Sequence, residues 1–168
     1  EEYHPDYLEK DVVSMFETSV NISKKLLTDN IDVLYAIEGL DYVEISDLDE
    51  LYKLGLRSVT ITWNEENKYG SGVRYDGGLT NLGIELIDKL ISLGIAIDLS
   101  HANDQTFFDI INIIKKYRLN GIEPVVFASH SNSRTLNNRK RNLSDEQLIA
   151  LKEVDGYVGV MSNKNFVG

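Results

Sequence analysis

Short apolar runs alternate along this chain with segments whose apolar residues recur every three or four positions. The runs fall at about 33–38, 57–63, 95–99, 124–129 and 157–161, and they are rich in Val, Ile and other strand-forming residues. Between them the spacing turns helical. Residues 7–29 carry Leu8, Val12, Met15, Phe16, Ile22 and Leu26 at helical spacing, and residues 80–94 turn helical again with Leu82, Ile84, Leu86, Ile87, Leu90 and Ile91 apolar. Further helices are predicted from Ser46 to Gly55, from Asn103 to about Tyr117 and from Ser144 to about Val154. Asn103 is the expected N-cap of the second of these. Ser144-Asp145-Glu146-Gln147 reads as a capping box, and Ser46-Asp47-Leu48-Asp49 offers a capping signature for the first. Gly55, Gly94 and Gly156 are placed to stop helices. Residues 64–78 carry glycine, asparagine and charge without periodicity, and read as a long loop.

Strands that are apolar almost throughout, alternating with helices, indicate an α/β fold with a parallel sheet covered on its faces. About five parallel strands are visible, whereas a closed barrel has about eight. A doubly wound open sheet is the rival architecture, but no glycine-rich phosphate fingerprint follows any strand. The expected fold is a partial TIM-type (β/α) barrel. Residues 1–168 are expected to form a single domain, the central portion of a barrel that lacks its first and last strands. Sheet edges left open in this way should either pair with a copy of the chain, as a homodimer, or belong to a longer chain.

The chemistry sits where strands end. The run 95–99 leads through Ser100 into His101, the run 124–128 leads through Ser129 into His130, and the run 33–37 ends in Glu38 before Gly39. In parallel strands joined by helices these residues share the carboxyl-terminal rim, where ligands and catalytic groups collect. Two neutral imidazoles and a carboxylate suit Zn, Mn or Fe, so Glu38, His101 and His130 form a candidate divalent metal site.

Composition narrows the partners. The 168 residues are 42% hydrophobic and 26% charged, as in ordinary globular proteins, and the formal net charge is −10. Such a charge, with no basic stripe beyond the short loop from Arg134 to Arg141, argues against nucleic acid. With no cysteine, neither a disulfide framework nor a thiolate site is available, which fits a reducing, cytoplasmic location. No apolar stretch nears the roughly 20 residues of a membrane helix, so no membrane partner is expected.

The text around these residues resembles the membrane (renal) dipeptidase family of zinc peptidases within the metal-dependent amidohydrolases. The matching pieces are Ala36-Ile37-Glu38-Gly39, Thr60-Ile61-Thr62-Trp63-Asn64, Ile97-Asp98-Leu99-Ser100-His101, Ala128-Ser129-His130-Ser131-Asn132-Ser133-Arg134 and Arg141-Asn142-Leu143-Ser144-Asp145-Glu146. The resemblance implies a β/α barrel with two metal ions at its rim, bridged by a glutamate that falls on Glu38, which is also the expected catalytic carboxylate. His101 and His130 complete one ion's ligands, and Arg141 holds the substrate carboxylate. The implied activity is hydrolysis of the peptide bond of dipeptides by a metal-activated water, with Zn as the cofactor. Another amide or a lactone as substrate, or a non-catalytic relative with an incomplete site, are the alternatives.

Three family features do not map simply. The His-x-Asp that should hold the other metal lies well upstream of Glu38 in the family, and His4-Pro5-Asp6 matches its spelling without a strand before it. The aspartate of the last strand would fall beyond Gly168. This segment alone is therefore expected to be inactive. Where some members carry a histidine that polarises the scissile carbonyl, this chain has Trp63 and Asn64. Asn64 is the expected substrate donor, and Trp63 a pocket wall.

Overall fold

A computed structural model describes residues 11–26 and 33–167. Its sheet has five parallel strands, β1 (Tyr35–Glu38), β2 (Leu56–Thr60), β3 (Ala96–Asp98), β4 (Val126–Ala128) and β5 (Tyr157–Val158), in the order β1-β2-β3-β4-β5. The helices are α1 (Val12–Leu26), α2 (Leu48–Leu54), α3 (Asn81–Leu93), α4 (Asp104–Leu119), α5 (Asp145–Glu153) and α6 (Lys164–Val167). Sequential strand order is how one wall of a (β/α) barrel is built. In a doubly wound sheet the order reverses at a switch point, and no reversal occurs here.

The core lies between this sheet and its helices. Leu51 of α2, Leu86, Ile87 and Leu90 of α3, Phe107, Ile110 and Ile114 of α4, and Leu151 of α5 are all buried against Val59, Ile97, Val126 and Ala128. Helix ends follow the capping chemistry of the sequence. The side chains of Thr80, Asn103 and Ser144 accept hydrogen bonds from the N–H groups of Gly83, Thr106 and Gln147. Gly55 (φ 118°) and Gly94 (φ 71°) take the left-handed conformation that closes α2 and α3.

Three details depart from the expected pattern. The cap before α2 begins earlier, in a 3₁₀ turn over Ile45–Asp47, where Glu44 and Asp47 bond each other's backbone N–H, and Ser46 has no part in it. After α5 the left-handed residue is Asp155 (φ 51°), not Gly156. Gly156 is required for space, because a Cβ there would lie 2.4 Å from Leu151 Cδ2 and 3.0 Å from the Val126 carbonyl. Helix α1 turns Val20 inward while Ile22 and Leu26 stay exposed, since α1 packs chiefly on α2. The outer parts of the expected 7–29 helix, and His4-Pro5-Asp6, lie outside the described residues.

The 64–78 loop is tied into the core by hydrogen bonds and one buried ring. Tyr69 is completely buried and its hydroxyl donates to the Val43 carbonyl at 2.6 Å. Asn67 donates to the Ile61 carbonyl at 2.8 Å, and Thr80 N–H to the Tyr69 carbonyl at 3.0 Å. Gly72 lets the loop fold on itself, because a Cβ there would sit 2.2 Å from the Trp63 carbonyl.

Helix α3 provides a test of which face carries the fold. Leu90→Ala should destabilise the protein by about 2–5 kcal/mol, through lost burial and the cavity left behind. Ile84→Ala, on the exposed side of the same helix, should cost less than about 1 kcal/mol. Denaturant titration of the two variants reads the difference.

Candidate metal centre

Register sets the rim. Glu38 pairs with Thr60, Thr60 with Asp98 and Asp98 with Phe127, so these four residues form one row across the sheet, at the ends of β1, β2 and β3. His101 and His130 each follow three residues after their member of that row. They therefore meet above it, beside Glu38.

Glu38 Oε1 lies 2.9 Å from His101 Nε2 and 3.2 Å from His130 Nε2, and the two Nε2 atoms are 3.0 Å apart. Among the described residues these three form a group of the size that holds a metal ion. The outer nitrogens of the rings are engaged elsewhere. His101 Nδ1 is 2.9 Å from Asn64 Oδ1, and His130 Nδ1 is 2.6 Å from Ser129 Oγ. A carboxamide oxygen only accepts, so His101 carries its proton on Nδ1 and turns a bare Nε2 toward Glu38. Lone pairs converging this closely repel one another unless a cation lies among them. The donor set fits a divalent ion of the Zn, Mn or Fe type.

His101 is held in an uncommon backbone state, left-handed at φ 69°. The loop imposes it. Val73 N–H donates to the His101 carbonyl at 3.0 Å, and Gly72 bridges Ala102. Strain of this kind costs about 1–3 kcal/mol and persists only where the surroundings fix it.

The electrostatics are dominated by burial. The His101 imidazole is pushed down to about 3, first by burial, then by the charges of Arg141 and His130, against an opposing pull from Asp98. Glu38 lies within ion-pair distance, but its side chain is 48% exposed, which screens its attraction. Arg141 is 8% exposed, and burial pushes its guanidinium down to about 10 although Asp98 and Glu38 favour the charge. Its Nη1 donates to Ser131 Oγ at 3.0 Å, while its Nη2 is buried without a hydrogen-bond partner. A buried, unpaired guanidinium N–H beside a metal-type cluster is suited to gripping a carboxylate.

All five residues singled out from the sequence, Glu38, Asn64, His101, His130 and Arg141, are thus in or beside one cluster. Asn64 turns its carboxamide oxygen to His101, leaving its nitrogen as the group that could face a substrate. The indole of Trp63 lies 5.9 Å from the His101 ring and is half exposed. Sequence reasoning did not single out Asp98 or Ser129, which bond beneath the histidines. A carboxylate inside the apolar run Ile95-Ala96-Ile97-Asp98-Leu99 was the available signal, since a buried charge needs dedicated partners.

Residues 7–168 match the model of one family, membrane dipeptidase (peptidase family M19). The chain belongs to this family. It is 37% identical over 129 residues to an uncharacterized protein in the pqqA 5′ region of Klebsiella pneumoniae, covering 72% of this chain and 45% of that protein. It is 34% identical over 145 residues to an uncharacterized dipeptidase of Schizosaccharomyces pombe, covering 82% of this chain and 33% of the relative. Among solved structures, an amidohydrolase from Pseudomonas aeruginosa superposes with a TM-score of 0.72 at 27% identity, over 85% of this chain and 49% of that one. A metallo peptidase from Rhodobacter sphaeroides, liganded with a phosphinate mimic of the dipeptide L-Ala-D-Ala, gives a TM-score of 0.66 at 28% identity, over 76% and 37%. The chain spans less than half the length of each of these relatives. No described helix is long and apolar enough to cross a membrane.

The His101 environment has a pH signature. Its folded-state value of about 3 lies below the ordinary 6.5, so the unfolded chain binds this proton more readily than the folded one. The associated stability is complete above about pH 6.5 and is lost as pH falls toward 3. In the metal-free protein at pH 5, nitrogen shifts of the His101 ring should be those of a neutral, Nδ1-protonated imidazole. His101→Gln should flatten part of the fall in denaturation midpoint between pH 6.5 and 4.

Proposed function

We propose that this chain carries one half of the active centre of a metal-dependent dipeptidase, as the central part of a single barrel domain. The observation that carries this reading is the convergence of Glu38 Oε1, His101 Nε2 and His130 Nε2, with the unpartnered Nη2 of Arg141 close by. Family membership supports the same reading. So does the dipeptide mimic held by the Rhodobacter sphaeroides relative.

Glu38, His101 and His130 would hold a divalent cation, zinc in our reading. When bound, that ion supplies Lewis acidity, polarising a peptide carbonyl and easing deprotonation of the attacking water. The chain's own residues do the rest. Glu38 faces the histidine pair through Oε1 and would supply the carboxylate ligand. Arg141 binds the free carboxylate of the dipeptide and sets the scissile carbonyl at the cluster. Asn64 fixes His101 through its oxygen and offers its amide N–H₂ to substrate. Trp63 walls the pocket and excludes water from one side.

The test uses the full natural protein, loaded with zinc and assayed on L,L and L,D dipeptides alongside amide and lactone controls. Glu38→Ala and His130→Ala should each lower kcat/KM by about three orders of magnitude or more, because several kcal/mol of transition-state stabilisation go with the ion. Far-UV circular dichroism should stay unchanged. Wild-type rates in either variant would remove the site assignment, and cleavage confined to the lactones would replace the substrate class. Arg141→Lys should raise KM about tenfold for dipeptides with a free carboxylate, and much less for their amides.

A further inference from the structure

Asp98 ends β3 inside an apolar run and is 6% exposed. Its carboxylate gathers four donors from three neighbouring strand ends. Oδ1 accepts from Ser100 N–H and Ser129 N–H, both at 2.9 Å. Oδ2 accepts from Thr60 Oγ1 at 3.1 Å and from the Ser129 hydroxyl. An ionised carboxylate has no proton to give, so the single hydroxyl proton of Ser129 is committed to Asp98.

That commitment settles a second bond. Ser129 Oγ is 2.6 Å from His130 Nδ1. With its own proton engaged, the oxygen can only accept there, and the proton of this bond belongs to Nδ1. Ser100 fits the same order, since its Oγ accepts from His130 N–H at 3.2 Å and can donate to Ser129 Oγ at 3.3 Å. A chain of hydrogen bonds thus runs from a buried carboxylate, through a hydroxyl, to the far nitrogen of His130. Its result is a bare Nε2 directed at Glu38 and His101.

We propose that Asp98 and Ser129 are positioning residues for the metal centre: Asp98 makes the Ser129 hydroxyl an obligate acceptor, and Ser129 in turn locks the tautomer and ring orientation of His130. This inference rests on the proposed function, in which Glu38, His101 and His130 hold a divalent ion. The pair works on one histidine only, because His101 is oriented separately by Asn64. A hydrogen bond to the outer nitrogen makes the inner one a better donor and removes the search for its orientation. Loss of such partners typically lowers metal affinity by about 10–100-fold.

Ser129→Ala isolates the effect. It deletes the hydroxyl but keeps the bonds from Ser129 N–H, Ser100 N–H and Thr60 to Asp98, so three of the four donors to the carboxylate remain. The experiment titrates the metal-free full natural protein with Co²⁺ and with Zn²⁺ against a competing chelator. It reads the affinities and the Co²⁺ absorption band, with His130→Ala marking the binding step that belongs to this centre. Ser129→Ala should weaken that step by about 10–100-fold, with the metal-free protein still folded under the titration conditions although Asp98 has lost one of its four donors. Ser129→Thr, which restores the hydroxyl, should recover affinity to within about threefold. If His130→Ala loses the step while Ser129→Ala binds as wild type, the positioning role is wrong and the metal centre stands. Weakening no larger than the loss of folded metal-free protein makes the hydroxyl structural and also overturns the role. If His130→Ala leaves all binding unchanged, both this inference and the proposed function fail.

Discussion

The carboxylate of Asp98 bonds at once to the ends of three neighbouring strands, and the position of both histidines follows from it. One oxygen, Oδ1, takes the backbone N–H of Ser100 and of Ser129 at the same 2.9 Å distance. Each serine is followed directly by a histidine. Two residues from separate strands are thereby hung on one atom, and their successors are delivered side by side. Burying a charge among apolar neighbours is costly unless every lone pair is used. Here the carboxylate meets that condition with four donors, and the cationic field of Arg141 reaches it as well. A neutral residue at position 98 could fill the volume but could not organise three strand ends around one point.

The second constraint acts from the loop. His101 needs a left-handed backbone to bring its ring over the row formed by Glu38, Thr60 and Asp98. Unlike His130, it has no serine beneath its ring. The 64–78 loop provides what is missing, holding the His101 carbonyl with Val73 and the ring with Asn64. That loop depends in turn on Tyr69 in the core and on the bare Cα of Gly72, where any side chain would displace the Trp63 carbonyl and with it Asn64. Core packing and ring orientation are therefore connected through a few residues of irregular backbone.

Much of this was legible in the chain, for identifiable reasons. Helical spacing, the caps Asn103 and Ser144 and the stop at Gly94 mark α3, α4 and α5 to within a residue or two, because these caps satisfy helix N–H groups through local contacts alone. Glu38, His101 and His130 stand out because polar residues of ligand type close three apolar runs. The way the 64–78 loop is tied into the core was not legible. It rests on Tyr69 reaching Val43 and on Asn67 reaching Ile61, contacts with no periodic signature. The roles of Asp98 and Ser129 were hidden for a related reason, since a proton's direction along a hydrogen-bond chain depends on partners from three strands. The left-handed turn at Asp155 escaped because Gly156 beside it is the residue that sequence rules favour there.

The charges of the site also bear on one another. Burial disfavours the Arg141 cation, and Asp98 and Glu38 offset part of that penalty. Of the two, Asp98 is fully engaged by its own donors, while Glu38 is half exposed and points at the histidine pair. In the proposed function a divalent ion draws on the charge of Glu38, so the support that Glu38 gives to Arg141 weakens as the ion binds. The unpartnered Nη2 then has more to gain from an incoming carboxylate than it has without the ion. Ion and substrate carboxylate would each favour the other's binding, by an equal free energy in either order. A neutral carboxamide gains much less, so the selectivity for a free carboxylate belongs to the loaded centre as a unit and not to the arginine alone.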